Sequence, residues 1–284
     1  MIEIIAYFII FLSVAVIINS VSEEMLRSGE PHNLENIDIF GFKVTVVTYL
    51  IISIAVTYLA YKIYEAQKYV VDVNERRVLS HYRNAFFFTG LSHILEFFGA
   101  LYLYVFTSGS TPIILFNMKF YLYPVLVVLG YIALCFSTVE LFLAIYYAIG
   151  YETSKPLIVF LIFPSIYVIL STSMYNHWGM ASWTGLHIGG LTSLFLLISE
   201  LIPVVLGARY YHEKYKSATS YEAKLRLRSL RDGFILIVIS IALLVIYKIA
   251  YKPYSAFVIL GELVGILSLI FISSALITPK PIYA

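Results

Sequence analysis

The amino-acid sequence predicts an all-α integral membrane protein, a bundle of about eight transmembrane helices with the N- and C-termini in the cytoplasm. Three observations support this prediction: an apolar composition, a series of long apolar runs, and a one-sided distribution of basic residues. Apolar residues make up 61% of the 284 residues and charged residues only 13%, with a mean hydropathy of +0.88. A soluble domain carries about 25% charged residues, so we expect lipid to solvate most of the apolar surface.

The apolar runs are close to, or longer than, the roughly 20 residues that a helix needs to cross a bilayer. Numbered one to eight, the predicted spans cover residues 2–19, 39–61, 85–107, 120–149, 156–172, 185–208, 233–250 and 255–278. Lys252 and Pro253 separate the last two spans, because proline cannot continue the hydrogen bonding of a helix. Residues 1–284 are therefore predicted to form a single polytopic membrane domain, without a soluble domain.

The basic residues test the number of spans independently. With eight spans, 14 of the 19 lysines and arginines fall on one side of the membrane and five on the other. Twelve of those 14 lie in the segments 62–84 and 209–232, which follow spans two and six. Because loops rich in lysine and arginine stay in the cytoplasm, this distribution predicts cytoplasmic termini and a multi-pass protein of the cell membrane.

Four glutamates stand alone inside the predicted spans: Glu96, Glu140, Glu200 and Glu262. Each shares a helix face with small and polar residues, and such faces pack against other helices rather than against lipid. The glutamates are therefore predicted to face protein. Each is either a neutral, hydrogen-bonded carboxyl group or part of a proton relay, a cation site or a redox-cofactor site. By depth, Glu96, Glu140 and Glu200 lie where they can converge, and Glu262 is expected to stand apart.

Histidines are the next candidates for a functional site. His93 lies three residues before Glu96 on one helix face, a spacing at which the two side chains can share a proton. The pair alone does not indicate a metal site, and we assign none. His177 and His187 both fall near the predicted outer surface and are candidates for haem or partner contact. His32, His81 and His212 lie in polar segments between spans, where a solvated side chain is expected.

Absent motifs restrict the function further. The single cysteine, Cys135, excludes a disulfide framework, and the sequence lacks a phosphate-binding glycine loop, a nucleophile elbow and an H-E-x-x-H zinc motif. No self-contained active site is therefore predicted. The net charge of +2 does not suggest nucleic-acid binding. Partners other than the lipid bilayer are expected at the aromatic outer segment 174–183, which contains both tryptophans, or at the basic segment 209–232.

Three hypotheses on function remain open. The first is a hydrophobic membrane subunit that anchors or serves a respiratory redox partner, with haem or quinone as the cofactor. The second is a proton- or cation-coupled transporter that uses Glu96, Glu140 and Glu200, with His93 as a proton shuttle. The third is a sensor or scaffold component that acts through its partners.

Two resemblances bear on these hypotheses. The size and the eight-span layout are similar to those of the membrane-anchor subunits of respiratory oxidoreductases, which implies the first hypothesis. The arginine-rich segments that lead into aromatic helix starts, residues 76–88 and 226–234, resemble the multi-span sensor regions of some prokaryotic histidine kinases. In addition, 25 tyrosines and a single glutamine, Gln67, are typical of heat-adapted archaeal proteins.

Overall fold

A computed structural model describes residues 39–106, 112–115, 118–150, 188–250 and 256–277, together with positions 12, 13 and 16. Six helices account for almost all of these residues, which confirms the predicted all-α class. In chain order they are α1 (Ile39–Gln67), α2 (Val73–Phe106), α3 (Leu122–Ile149), α4 (Ile188–Ser217), α5 (Tyr221–Ala250) and α6 (Ala256–Ile277). The exception is a small antiparallel hairpin between α2 and α3. Its strands, β1 (Ile113–Leu115) and β2 (Met118–Phe120), pair Ile113 with Phe120 and Leu115 with Met118.

Local sequence signals set several helix ends. Asp72 caps α2, because its carboxylate accepts a hydrogen bond from the backbone N–H of Glu75 at 2.7 Å. Ser220 caps α5 in the same way through the N–H of Ala223 at 3.2 Å. Gly150 ends α3 with a positive φ of 98°, a conformation that glycine adopts without steric cost.

The six helices form a closed ring. Each helix packs against the next one in the sequence, from α1 to α6, and α6 returns to pack against α1. The short turns that join α1 to α2 and α4 to α5 lie at the same end of the ring, where the hydroxyl of Tyr82 in α2 bonds that of Tyr211 in α4 at 2.9 Å. We call it the basic end, because the basic residues of segments 62–84 and 209–232 lie there.

At the basic end the interior of the ring is filled by a continuous hydrophobic core. Every helix contributes to it, with fully buried side chains such as Ile63, Tyr82, Ile145, Phe234 and Ile272. The helices approach closely here: a Cβ atom added at Gly233 would lie 2.6 Å from Ile272 and 3.0 Å from the Ser268 carbonyl oxygen. Small residues at such contacts are typical of helix packing in membranes.

The outside of the ring exposes large apolar side chains, including Val47, Ile51 and Ile54 on α1 and Leu260, Leu263 and Ile270 on α6. Within the part of the chain described, four helical stretches are long and apolar enough to cross a membrane. They are Val46–Gln67, Val73–Tyr102, Val128–Ile149 and Ile259–Ile277, and they correspond to predicted spans two, three, four and eight. Span five and most of span one lie outside the described residues.

Two predicted boundaries are wrong. The segments 62–84 and 209–232, expected as loops, are helical except for the short turns at residues 68–72 and 218–220. α2 starts at Val73 rather than at residue 85, and α4 runs to Ser217. The reason is tertiary: Leu79, Tyr82, Tyr211, Leu227 and Leu230 are buried in the core at the basic end, so apolar contacts extend these helices past the last residues of the apolar runs.

Candidate functional site

A cavity of about 270 Å³ lies inside the ring, next to the core at the basic end. All six helices line it, mostly with apolar side chains such as Ile52, Phe86, Leu141 and Ile266. The ionisable groups in its wall come chiefly from two helices: His93 and Glu96 from α2, and Glu262 from α6. Charged groups are therefore concentrated in one part of an otherwise apolar chamber.

His93 lies between the two carboxylates. Its Nδ1 atom is 3.0 Å from Oε2 of Glu96, one helical turn away on α2. Its Nε2 atom is 3.8 Å from Oε2 of Glu262 on α6. The side chains of His93 and Glu262 are 12% and 15% exposed, and that of Glu96 is 27% exposed. The imidazole thus faces one carboxylate at hydrogen-bond distance and a second one slightly beyond it.

Neighbouring helices hold this cluster in place. The ring of Tyr49 on α1 stacks on the His93 imidazole, with centroids 5.7 Å apart and an interplanar angle of 22°. Gly130 on α3 lies against Glu96, since a Cβ atom added there would be 3.6 Å from the Cγ of Glu96. The aromatic ring fixes the plane of the imidazole, and α3 borders the Glu96 side chain at Gly130.

A second histidine–carboxylate pair lies on the same α2–α3 interface, towards the basic end. Nδ1 of His81 is 2.7 Å from Oε2 of Glu140, and the Asn84 amide donates a hydrogen bond to the same oxygen at 3.3 Å. The Glu140 side chain is only 2% exposed and that of His81 14%. Tyr147 stacks on His81 with centroids 5.2 Å apart, and the Arg77 guanidinium lies over Tyr147.

Between the two pairs, a hydroxyl–hydroxyl contact joins α2 to α3. Oγ1 of Thr89 and Oγ of Ser137 are 2.7 Å apart, and the Thr89 hydroxyl also donates to the Ala85 carbonyl oxygen at 3.0 Å. Thr89 and Ser137 line the cavity, whereas Glu140 lies beyond its wall. The polar groups therefore follow one line along the interface, from the basic end into the cavity.

The structure brings some of the predicted site residues together and separates others. His93 pairs with Glu96 as the spacing suggested. Glu96 and Glu262 line the cavity, and Glu140 is buried between α2 and α3, so all three face protein as predicted. The expectation that Glu262 stands apart is wrong, because it lies beside His93. Glu140 does not join Glu96 but pairs with His81. Glu200 lies within α4, but its side chain is outside the described part of the chain, as are His177 and His187.

His81 is the residue that the sequence interpretation missed, since a solvated side chain was expected there. Its signal was the spacing: residues 81, 85, 89 and 93 follow one another at intervals of four and thus share a face of α2. Placing the start of span three at residue 85 hid this pattern. The polar face of α2 continues through His81 to the basic end.

The arrangement is suited to binding protons or a small cation. An imidazole accepts or donates a proton near neutral pH, and two carboxylates around it supply negative charge. Among the residues described, no group of three or more His, Cys, Asp or Glu side chains has the geometry of a metal site. In comparisons with known proteins, no family model, no curated protein and no solved structure matches the chain.

Proposed function

We propose that the protein is a proton- or cation-coupled membrane transporter, and that His93, Glu96 and Glu262 form its coupling site. The observation that carries this proposal is the position of His93 between carboxylates from two different helices, in the wall of a cavity lined by all six described helices. Ionisable groups inside membrane segments are costly, and they typically mark ion pathways and proton relays.

Charge balance supports the proposal. With both carboxylates ionised and the imidazole neutral, the cluster carries two negative charges in a largely apolar chamber. Such charges are stable there only when a proton or a cation compensates them. Gain and loss of that proton or cation would change the electrostatic energy of the α2–α6 contact, and this is the kind of change that can couple ion binding to a rearrangement of helices.

The cavity supports the proposal by its size and position. At about 270 Å³ it has room for several water molecules or a small solute. The hydrophobic core forms its floor on the side of the basic end, since Ile52, Phe86, Val204 and Ile272 belong to both the core and the cavity wall. A chamber closed on one side by packed helices fits one state of an alternating-access cycle.

For the whole chain we propose eight spans in the cell membrane, with both termini in the cytoplasm. The gathering of the basic segments 62–84 and 209–232 at one end of the ring supports this orientation, because cytoplasmic ends of membrane helices are rich in lysine and arginine. The four candidate spans and the apolar outer surface support the multi-pass arrangement.

The redox-subunit hypothesis is not the function we propose. Its candidate ligands, His177 and His187, and the outer segment 174–183 lie outside the described residues. Two of the described histidines, His81 and His93, each face a carboxylate within hydrogen-bond distance. The scaffold hypothesis places partners on segment 209–232, where Arg209 and Arg228 are exposed and ion-paired with Glu213 and Asp232. That hypothesis gives no role to the cavity.

Charge movement after a concentration jump tests the proposal without knowledge of the substrate. The purified chain is reconstituted in liposomes on a solid-supported membrane, and the solution is switched to one with more H⁺, Na⁺, K⁺ or choline. At least one jump is expected to give a transient current in the wild-type protein. Glu96→Gln and Glu262→Gln should reduce this current at least about tenfold, because each removes a charge from the coupling site.

Glu213→Gln is the matched control. Glu213 is 62% exposed at the basic end of α4, where it pairs with Arg209, and its replacement should leave the current unchanged. The proposal fails if the wild-type protein gives no current with any of the four cations, or if the current of Glu96→Gln and Glu262→Gln equals that of the wild type.

A further inference from the structure

We propose that the coupling ion is a proton, and that it reaches the cavity from the basic end through a relay formed by His81, Glu140, Ser137 and Thr89. The proposal rests on the proposed function, since it assigns the ion and the route of the same coupling site. It extends that function to four residues at the α2–α3 interface that lie outside the His93–Glu96–Glu262 cluster.

The relay follows one face of each of two helices. On α2, His81, Thr89 and His93 lie at multiples of four residues, and on α3, Ser137 and Glu140 lie three apart. Residues three or four apart on a helix have Cβ atoms about 5–6 Å from each other. Between Glu140 and Ser137, and between Thr89 and His93, that separation is within reach of a single bridging water.

The two direct contacts in the relay are short. Glu140 meets His81 at 2.7 Å, and Ser137 meets Thr89 at 2.7 Å. A hydroxyl group both donates and accepts hydrogen bonds, so each one can receive a proton on one side and release its own on the other. Thr89 and Ser137 border the cavity, and from there water can carry the proton to His93 and Glu96.

The same contact argues for a proton over a metal cation. Passage of Na⁺ or K⁺ requires a pore wide enough for the ion and the oxygens around it. The hydroxyls of Thr89 and Ser137 touch each other, and Glu140 beyond them is 2% exposed. A proton crosses such a barrier by hopping along hydrogen bonds, whereas a larger ion would have to force the two helices apart.

Two guanidinium groups lie around the basic end of the relay. His81 is 14% exposed. Tyr147 stacks on His81, and the Arg77 guanidinium lies over the Tyr147 ring. Arg83 reaches Glu140 indirectly, because it donates to the oxygen of Asn84, whose amide donates to Glu140. At the cavity end, Tyr49 stacks on His93, and Tyr131 lines the cavity.

The proton balance of one passage is simple. A protonated His81 gives its Nδ1 proton to the Glu140 carboxylate. The imidazole then turns its Nδ1 towards solution, takes up another proton there and turns back. Glu140 passes its proton through one water to Ser137, and Ser137 releases its own proton to Thr89. The Thr89 hydroxyl turns away from the Ala85 carbonyl oxygen and releases its proton through water to the His93–Glu96 pair. Each hydroxyl ends as it began after it rotates back, so the net change is one proton moved from the basic end to the cavity.

Time-resolved infrared spectroscopy after a pH jump tests the relay on the full chain. The carboxyl C=O band of Glu96 and Glu262, identified by its loss in Glu96→Gln and Glu262→Gln, reports when the cavity cluster gains a proton. Removing the hydroxyls with Thr89→Val and Ser137→Ala together should slow its appearance at least about tenfold. Glu140→Gln should slow it similarly. The amount of protonation at equilibrium should stay the same in the hydroxyl variants.

Two further variants separate the relay from a structural effect. Ser137→Thr keeps a hydroxyl and should restore the wild-type rate. Ser273→Ala removes a buried hydroxyl that bonds within α6, to the Ile270 carbonyl oxygen, and should leave the rate unchanged. If the double variant does not fold, Ser137→Ala alone against Ser137→Thr decides the question. A protonation rate that is the same in the hydroxyl and Glu140 variants as in the wild type overturns the relay.

The infrared measurement tests the relay, and the transient current tests transport, so the two proposals can be refuted separately. If the wild type gives no current but its carboxyl band is slowed by the hydroxyl variants, the relay stands and the transport proposal is wrong. If currents are present and depend on Glu96 while the band appears at the wild-type rate in all variants, transport stands and protons do not use this relay. Currents driven by Na⁺ or K⁺ at constant pH, without any response to a pH jump, overturn the assignment of the proton.

Discussion

The two histidine–carboxylate pairs of α2 consist of the same chemical groups in different surroundings. His81 and Glu140 meet at 2.7 Å in the packed part of the ring, and the carboxylate side chain is 2% exposed. His93 lies 3.0 Å from Glu96 and 3.8 Å from Glu262 in the cavity, and its partners are 27% and 15% exposed. The Glu140 carboxylate is enclosed by protein, whereas the second pair adjoins space that water or a solute can fill.

A histidine–carboxylate pair is expected to behave differently when its carboxylate is enclosed by protein and when it borders a cavity. A carboxylate enclosed by protein relies on its fixed partners, so losing any of them leaves an uncompensated polar group. A carboxylate beside a cavity can exchange a protein partner for water, a proton or a cation at a small cost. The cavity therefore makes the second pair adjustable.

Removal of the carboxylate should affect stability far more at Glu140 than at Glu96. Glu140→Ala leaves His81 and Asn84 without their shared acceptor inside packed protein, and we expect a loss of about 3 kcal/mol in the free energy of unfolding. Glu96→Ala should cost about 1 kcal/mol or less, because water in the cavity can replace the carboxylate. Unfolding of the purified protein by sodium dodecyl sulfate in mixed micelles measures both values.

Glu140→Gln refines this prediction. The amide oxygen keeps an acceptor for His81 and Asn84, so its loss of stability should fall between those of Glu140→Ala and the wild type. Equal losses for Glu140→Ala and Glu96→Ala would contradict the contrast and would mean that both carboxylates are equally well solvated.

Steric tolerance should also differ between the packed end and the cavity. In Gly233→Ala the new methyl group would meet Ile272 at 2.6 Å and a carbonyl oxygen of α6 at 3.0 Å, so α5 and α6 must move apart. We expect a loss of about 2 kcal/mol, measured by the same unfolding titration.

Gly130→Ala is the matched substitution at the cavity. Its nearest neighbours, the Cγ of Glu96 and the Ser92 carbonyl oxygen, would both lie at 3.6 Å, an ordinary van der Waals distance. Its stability should stay within about 0.5 kcal/mol of the wild type. A larger loss for Gly130→Ala than for Gly233→Ala would show that the α2–α3 contact, and not the basic end, is the tighter part of the ring.

The sequence predicts the helical class well because lipid imposes a simple rule. A membrane helix must be long and apolar, and the four candidate spans overlap predicted spans two, three, four and eight, although the second begins at Val73 rather than at residue 85. The ends of the helices follow a different rule. Leu79, Tyr82 and Leu230 extend α2 and α5 at the basic end through tertiary contacts that a hydropathy pattern along one helix does not contain.

The candidate site was predictable only where its residues share a helix. His93 and Glu96 are three apart on α2, so their pairing follows from helix geometry. Glu262 joins them because the ring closes between α1 and α6, and Glu140 meets His81 because of the register between α2 and α3. Neither the closure of the ring nor the register between α2 and α3 has a signal within a single helix. Depth along each helix therefore does not show which glutamates lie together.

A smaller effect than at Glu140 or Gly233 is expected at the hydroxyl pair of the packed end. Tyr82 and Tyr211 bond at 2.9 Å, and Tyr211 stacks on Phe234 with centroids 5.7 Å apart. Tyr211→Phe keeps the stacked ring and removes the hydrogen bond, so we expect a loss of about 1 kcal/mol at neutral pH. Replacing Thr89 or Ser137, by contrast, should change the free energy of unfolding only a little, because water in the cavity can occupy the place of either hydroxyl.

Alkaline pH should reverse the order of the wild type and Tyr211→Phe. Burial, together with the neighbouring Tyr82, raises the pKa of Tyr211 well above its ordinary value of 10.0; this residue lies past position 208, where predicted span six ends. The folded protein therefore holds this proton more tightly than the unfolded chain, and the stability linked to it is complete below about pH 10 and is lost as the pH rises further. The wild type should lose up to about 1.4 kcal/mol per pH unit more than the variant above pH 10. Unfolding titrations at pH 8, 10 and 11 measure the two slopes; parallel curves would show that the Tyr211 hydroxyl is reached by water at the basic end.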